Sequence, residues 1–68
     1  MEREEILRAL ARARTERELV SAIRRALAYA QTHRDETMRL AVEPFIMMAL
    51  GMGIDTAELG LRETRDDA

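Results

Sequence analysis

Hydrophobic residues recur along this chain at the three- and four-residue spacing of amphipathic helices. In the first segment, from Glu2 to Arg14, Ile6, Leu10 and Ala13 fall on one stripe. Thr15 breaks that pattern, and Glu18 follows three residues later, which is the spacing of a capping box at the start of a new helix. The second helix then has one apolar face, formed by Leu19, Ala22, Ile23, Ala26, Leu27 and Ala30. The pattern predicts two helices joined by a tight connection at Thr15.

A third helix is predicted after a lapse of the apolar pattern at residues 32–35. Asp35 is placed to cap it, and Gly53 is placed to end it in a left-handed conformation. Pro44 lies in its middle and lacks a backbone donor, so we expect a kink or a restart of the helix there. The predicted stripe alternates steps of four and three: Met38, Val42, Phe45, Ala49 and Met52.

The C-terminal segment repeats the capping pattern. Asp55 and Glu58 have the cap spacing, with Ile54 and Leu59 at the positions of a hydrophobic staple, so a short fourth helix is predicted from Thr56. Residues 63–68 have no apolar residue except the terminal alanine and are predicted to be frayed or disordered. The fold prediction is therefore one all-α domain over residues 1–62, a bundle of three main helices plus a short C-terminal helix.

The run FIMMALGMGI, residues 45–54, contains no polar side chain on any helical face. It is too short to cross a bilayer, which takes about 20 apolar residues. A chain of 68 residues has a thin core that can cover only one side of this run, so a second copy is the simplest cover for the other. The alternative is a monomer whose first two helices wrap the run from both sides. In the homodimer prediction the interface consists of Phe45, Ile46, Met48, Ala49, Leu50 and Met52.

Residues 48–59 resemble the short consensus of helix-turn-helix proteins. Ala49 occupies the small position of the first helix, Gly53 the turn, and Ile54 and Leu59 the positions that pack the second helix, with Met48 and Met52 at buried positions. The resemblance implies a second helix that enters the DNA major groove with Thr56, Ala57, Gly60 and Arg62 toward the bases. This chain departs from that chemistry because Asp55 and Glu58 would face a polyanion.

Composition removes several classes of function. There is no cysteine and no tryptophan, and there is one residue each of histidine, tyrosine and phenylalanine, which leaves little for a thiol site, a catalytic cluster or a base-stacking surface. His33 stands near Asp35 and Glu36, but one histidine with two acids is more typical of a helix end than of a metal or acid–base site. No phosphate-binding glycine loop is present. We therefore expect no cofactor, no metal and no catalytic residue.

Charge divides the chain in two. Residues 1–34 carry eight arginines and five acids, whereas residues 35–68 carry three arginines and eight acids. The second helix contributes a basic surface through Arg17, Arg24 and Arg25, which suits an acidic protein surface. Methionine is adaptable in contacts, so Met47 joins these arginines as a predicted partner-binding residue.

These observations predict a small non-enzymatic regulatory, adaptor or inhibitor protein that acts through protein–protein interaction. The predicted partners are a second copy of the chain and a larger protein. A membrane is not an expected partner. One alternative is a small dimeric helix-turn-helix DNA-binding regulator, and another is a subunit that contributes a helix to an enzyme site completed elsewhere. No targeting or spanning segment is recognised, so a cytoplasmic location and a bacterial or phage source are expected.

Overall fold

The computed structural model describes residues 1–61 and places three helices there, with no strand in that part of the chain. They are α1 (Glu2–Arg12), α2 (Glu16–His33) and α3 (Glu36–Gly51). The all-helical prediction is confirmed. The predicted tail at residues 63–68 lies outside the described residues.

The connection between α1 and α2 is set by the predicted capping box. The Thr15 hydroxyl accepts a hydrogen bond from the Glu18 amide at 3.1 Å, and Glu18 Oε1 accepts from the Thr15 amide at 3.4 Å. The same carboxylate oxygen accepts from the Arg14 amide at 2.8 Å. Helix α1 therefore ends at Arg12, two residues earlier than predicted. Residues 13–15 leave the helical conformation, which allows the amides of Arg14 and Thr15 to donate to Glu18.

The turn between α2 and α3 depends on Arg34, which adopts a left-handed conformation with φ 52°. Its amide and the amide of Asp35 both donate to the Ala30 carbonyl, which closes the end of α2. Asp35 then caps α3 by accepting from the Met38 amide at 3.1 Å, as predicted.

Helix α3 runs through Pro44, so of the two predicted outcomes, a kink or a restart, the restart is not found. Pro44 is exposed, and the buried residues Met38, Val42 and Ala49 lie on the opposite face on both sides of it. Packing along this whole face keeps the two halves in one helix although one backbone hydrogen bond is missing.

The prediction of a fourth helix is wrong, because the described chain after α3 forms only turns. Gly53, at φ 91°, ends α3 with hydrogen bonds from the Gly53 amide to the Leu50 carbonyl and from the Ile54 amide to the Ala49 carbonyl. Residues 56–60 then make a single turn, which Gly60 closes at φ 78°. A closing glycine after one turn leaves no length in which a helix can propagate.

The core lies along α2, which packs against both α1 and α3. Ile54 and Leu59 bring the C-terminal turns onto it, and Leu59 is fully buried. No charged or polar residue among residues 1–61 is buried. The core residues are Ile6, Leu10, Leu19, Ala22, Ile23, Ala26, Ala30, Met38, Val42, Ala49, Ile54 and Leu59.

Candidate functional site

Four large apolar side chains of α3, and that of Met52 directly after it, are exposed to solvent. We call this set the outer apolar face; its exposed fractions are 62% for Leu40, 70% for Met47, 53% for Met48, 39% for Leu50 and 47% for Met52. Glu36 and Glu43 are exposed beside Leu40, so the uninterrupted apolar part of the face begins after Glu43.

The six residues predicted for a dimer interface divide into three groups. Met48, Leu50 and Met52 belong to the outer apolar face, whereas Phe45 and Ile46 are half-buried against the core of the single chain. Ala49 is fully buried there and does not reach the outer face. One chain thus covers the central line of residues 45–54 and leaves its outer side open to solvent.

The three predicted partner-binding arginines of α2 lie together. Arg17, Arg24 and Arg25 line one groove of about 590 Å³ beside the C-terminal turns, with Ile54 and Glu58 on its other side. Met47 does not line this groove, because it belongs to the outer apolar face of α3. The predicted set of four residues is therefore split between two surfaces.

A second groove lies between α1 and α2 and was not predicted from the sequence. It measures about 440 Å³ and shares Arg17, Ser21 and Arg25 with the first groove, so these residues form the ridge between the two. Its other wall includes Arg12 of α1. We call it the α1/α2 groove. The proximity of Arg12 to the arginines of α2 could not be predicted from the local sequence pattern, because it depends on how the two helices pair.

The arginines of both grooves have no carboxylate partner within residues 1–61. In that part of the chain the one salt bridge joins Arg3 to Asp35, with Nε and Oδ2 3.0 Å apart. Glu18 lines the α1/α2 groove, but its Oε1 already accepts from two backbone amides of the capping box. Within residues 1–61, no carboxylate therefore competes with an external anion for the guanidinium groups of Arg12, Arg17 and Arg25.

The Arg3–Asp35 contact links the start of α1 to the start of α3. Arg3 also donates to the Thr37 hydroxyl at 2.8 Å, and that hydroxyl donates to Asp35 Oδ1 at 2.6 Å. Hydrogen bonds from Thr37, then from the Met38 amide and from Arg3, lower the pKa of Asp35 from 3.8 to about 2. The role of Asp35 as a cap was predictable from the sequence. Its contact with Arg3 was not, because Arg3 lies 32 residues away and no local sequence feature indicates the contact.

His33 packs against Tyr29 rather than against the neighbouring acids, with the ring centroids 4.2 Å apart and the ring planes tilted by 34°. The spacing of four residues on one helix accounts for this contact. Residues 1–61 contain no group of three or more histidine or acidic side chains arranged to hold a metal ion.

The turns at residues 54–61 bear on the helix-turn-helix resemblance. Gly53 supplies the expected turn and Leu59 packs inward, but Thr56 and Ala57 lie in a single turn rather than in a second helix. Arg62 lies outside the described residues. The second helix that the resemblance implies is therefore not formed at residues 56–60.

None of the described helices combines the length and the apolar character needed to traverse a bilayer. Comparisons with family models, curated proteins and solved structures found no match for this chain.

Proposed function

We propose that this chain is a small regulatory, adaptor or inhibitor protein, without catalytic activity of its own, that binds a larger cytoplasmic protein while it is itself a homodimer. The observation that carries the proposal is the group of arginines on α2, which line two grooves and have no ion-pair partner within residues 1–61. Clustered cations of this kind accelerate the encounter with an acidic partner and restrict the choice of partner.

The outer apolar face supports the dimer. Its exposed fractions add up to between two and three whole side chains per copy. Full burial of a leucine or methionine side chain stabilises by about 1.5–3 kcal/mol, so covering both copies contributes on the order of 10 kcal/mol. The loss of free motion on association costs about 4–15 kcal/mol, which is of similar size. The net free energy of association is therefore small, so the dissociation constant of the dimer is expected to be micromolar or weaker.

Sedimentation equilibrium tests the dimer. Met47→Asp places a carboxylate at the most exposed position of the outer apolar face and should leave the protein monomeric with unchanged helix content by circular dichroism. Ala28→Asp is the matched control, because Ala28 is exposed on α2 and is not part of that face. A wild-type chain that still sediments as a monomer at about millimolar concentration contradicts the dimer.

Capture of a protein from cell extract, compared between the wild type and variants of this chain, tests the predicted partner-binding surface. The double variant Arg24→Glu and Arg25→Glu reverses two charges at exposed positions, so it should lose the captured protein at low ionic strength while it keeps its fold. The control variant Arg8→Glu reverses one charge at an exposed position of α1 that lines neither groove. If the double variant captures the same protein as strongly as the wild type does, the arginines are not the binding surface, and Met47 becomes the residue to test.

A further inference from the structure

We infer that the α1/α2 groove binds an acidic amphipathic helix of the partner protein. This inference deepens the proposed function and rests on it. The groove combines three features that one such helix satisfies together: cationic walls, a floor of small side chains, and a regular spacing of its charges along α2.

The walls of the groove carry arginines that form no salt bridge within residues 1–61. Arg12 lies on the α1 side, and Arg17 and Arg25 lie on the α2 side. None of the three forms a salt bridge within residues 1–61, and the one acid in the groove, Glu18, is held by the capping box. A guanidinium pairs most effectively with a planar carboxylate, which it can contact through two parallel hydrogen bonds.

The floor of the groove is made of small residues, namely Ala9, Ala13 and Ala22. Side chains of this size allow the backbone of another helix to come close, and the volume of about 440 Å³ accommodates an apolar side chain from it. The alanine side chains of this floor offer a phosphate group no hydrogen-bond donor. Glu16 and Glu18 also lie at this end of α2. A protein segment with separated carboxylates can keep them away from these two acids, whereas a continuous polyanion cannot, so the groove favours an acidic protein segment over a nucleic acid.

The spacing of the ridge residues indicates a helix as the ligand. Arg17, Ser21 and Arg25 are four residues apart in sequence and follow one line along α2. With a rise of about 1.5 Å per residue, the two arginines are about 12 Å apart along the axis, with the small Ser21 between them. A partner helix that lies along α2 and carries acidic, apolar and acidic residues at the same spacing places each carboxylate near an arginine and its apolar side chain over Ser21.

The probe for this site is a fluorescein-labelled, alanine-rich peptide of about 20 residues, long enough to be helical, that carries Glu, Leu and Glu at successive four-residue steps. Its affinity for the full chain is measured by fluorescence anisotropy. Arg17→Glu should weaken binding by about tenfold or more, because it reverses a close charge pair. Arg12→Glu should weaken it as well, because it places a negative charge in the opposite wall of the same groove. Ser21→Trp should also weaken it, because an indole fills the groove without any change of charge. Arg8→Glu should bind as the wild type does.

Salt and peptide controls separate a true site from general attraction. Binding should weaken as ionic strength rises from about 0.01 M to about 0.15 M, over which the Debye length falls from about 30 Å to about 8 Å. A peptide with lysine in place of both glutamates should not bind. Equal binding of the lysine peptide overturns the inference, as does duplex DNA that binds more tightly than the acidic peptide.

The variants Arg12→Glu and Arg24→Glu distinguish failure of this inference from failure of the proposed function, because Arg12 lines only the α1/α2 groove and Arg24 only the other groove. A greater loss with Arg12→Glu than with Arg24→Glu supports the inference. A greater loss with Arg24→Glu overturns the α1/α2 groove as the site but leaves the proposed function standing. If no acidic peptide binds and the double variant of Arg24 and Arg25 captures the same proteins as the wild type, both proposals fail.

Discussion

Gly51, the last residue of α3, gives the sharpest test of the dimer because one substitution there should act on the single chain and on the dimer with opposite sign. A Cβ atom built at Gly51 meets no atom within 4 Å, and its φ is not in the positive range. The single chain therefore gives no reason for a glycine. Replacing it with alanine should stabilise the monomer by about 0.5–1 kcal/mol through helix propensity. For a domain of this size that raises Tm by roughly 2–8 °C.

The effect on the dimer should be the reverse. Gly51 lies on the same side of α3 as Leu40, Pro44 and Met47, at successive steps of four, three and four residues, and it is exposed. An added methyl group at a packed contact typically costs about 1–3 kcal/mol, which raises the dissociation constant of the dimer by roughly tenfold or more.

Two measurements on Gly51→Ala test these opposite effects on the monomer and on the dimer. Thermal unfolding is followed by circular dichroism at a concentration below the dissociation constant, and sedimentation equilibrium gives that constant. Leu40→Ala is the companion variant: it removes apolar area from the same face, so it should weaken the dimer without raising Tm. An unchanged or lower dissociation constant for Gly51→Ala, together with a higher Tm, would refute close packing at Gly51. A lower Tm would refute the reasoning from helix propensity.

Three further predictions concern the helix ends. Thr15→Ala removes the acceptor of the Glu18 amide and should cost about 1 kcal/mol, whereas Thr15→Ser should be neutral; equal Tm values for the alanine variant and the wild type would contradict the capping box. Arg34→Gly should stabilise by about 0.5–1 kcal/mol because a side chain at φ 52° is strained, and chemical denaturation should show no such gain for Arg34→Ala, which keeps the Cβ atom. Because folding lowers the pKa of Asp35 from 3.8 to about 2, its contribution to stability is full above about pH 4 and is lost as the pH falls toward 2. Asp35→Asn should reduce the dependence of Tm on pH in that interval, and an unchanged acid profile would argue against the hydrogen bonds of Asp35.

The capping pattern occurs twice in the sequence, but it starts a helix in only one of the two places. Thr15 with Glu18 and Asp55 with Glu58 have the same spacing, yet the first pair starts an 18-residue helix and the second leads into a single turn. Near Asp55 the carboxylate accepts from the Ala57 amide at 3.3 Å, and the Glu58 amide donates to the Asp55 carbonyl instead of to its side chain. A cap satisfies the first amides of a helix, but propagation needs a long apolar face to pack, which α2 has and the C-terminal segment lacks.

The sequence by itself determined the three helices and most of their ends, because capping, hydrophobic periodicity and glycine conformation act over a few residues. It also placed Arg17, Arg24 and Arg25 on one side of one helix. Only the tertiary structure decided that α3 continues through Pro44, that Met52 is exposed although it continues the predicted apolar stripe, and that Arg12 lies near the arginines of α2. The reason is that these outcomes depend on which helix faces meet, and the meeting of faces is fixed by packing between segments distant in sequence, as with Arg3 and Asp35.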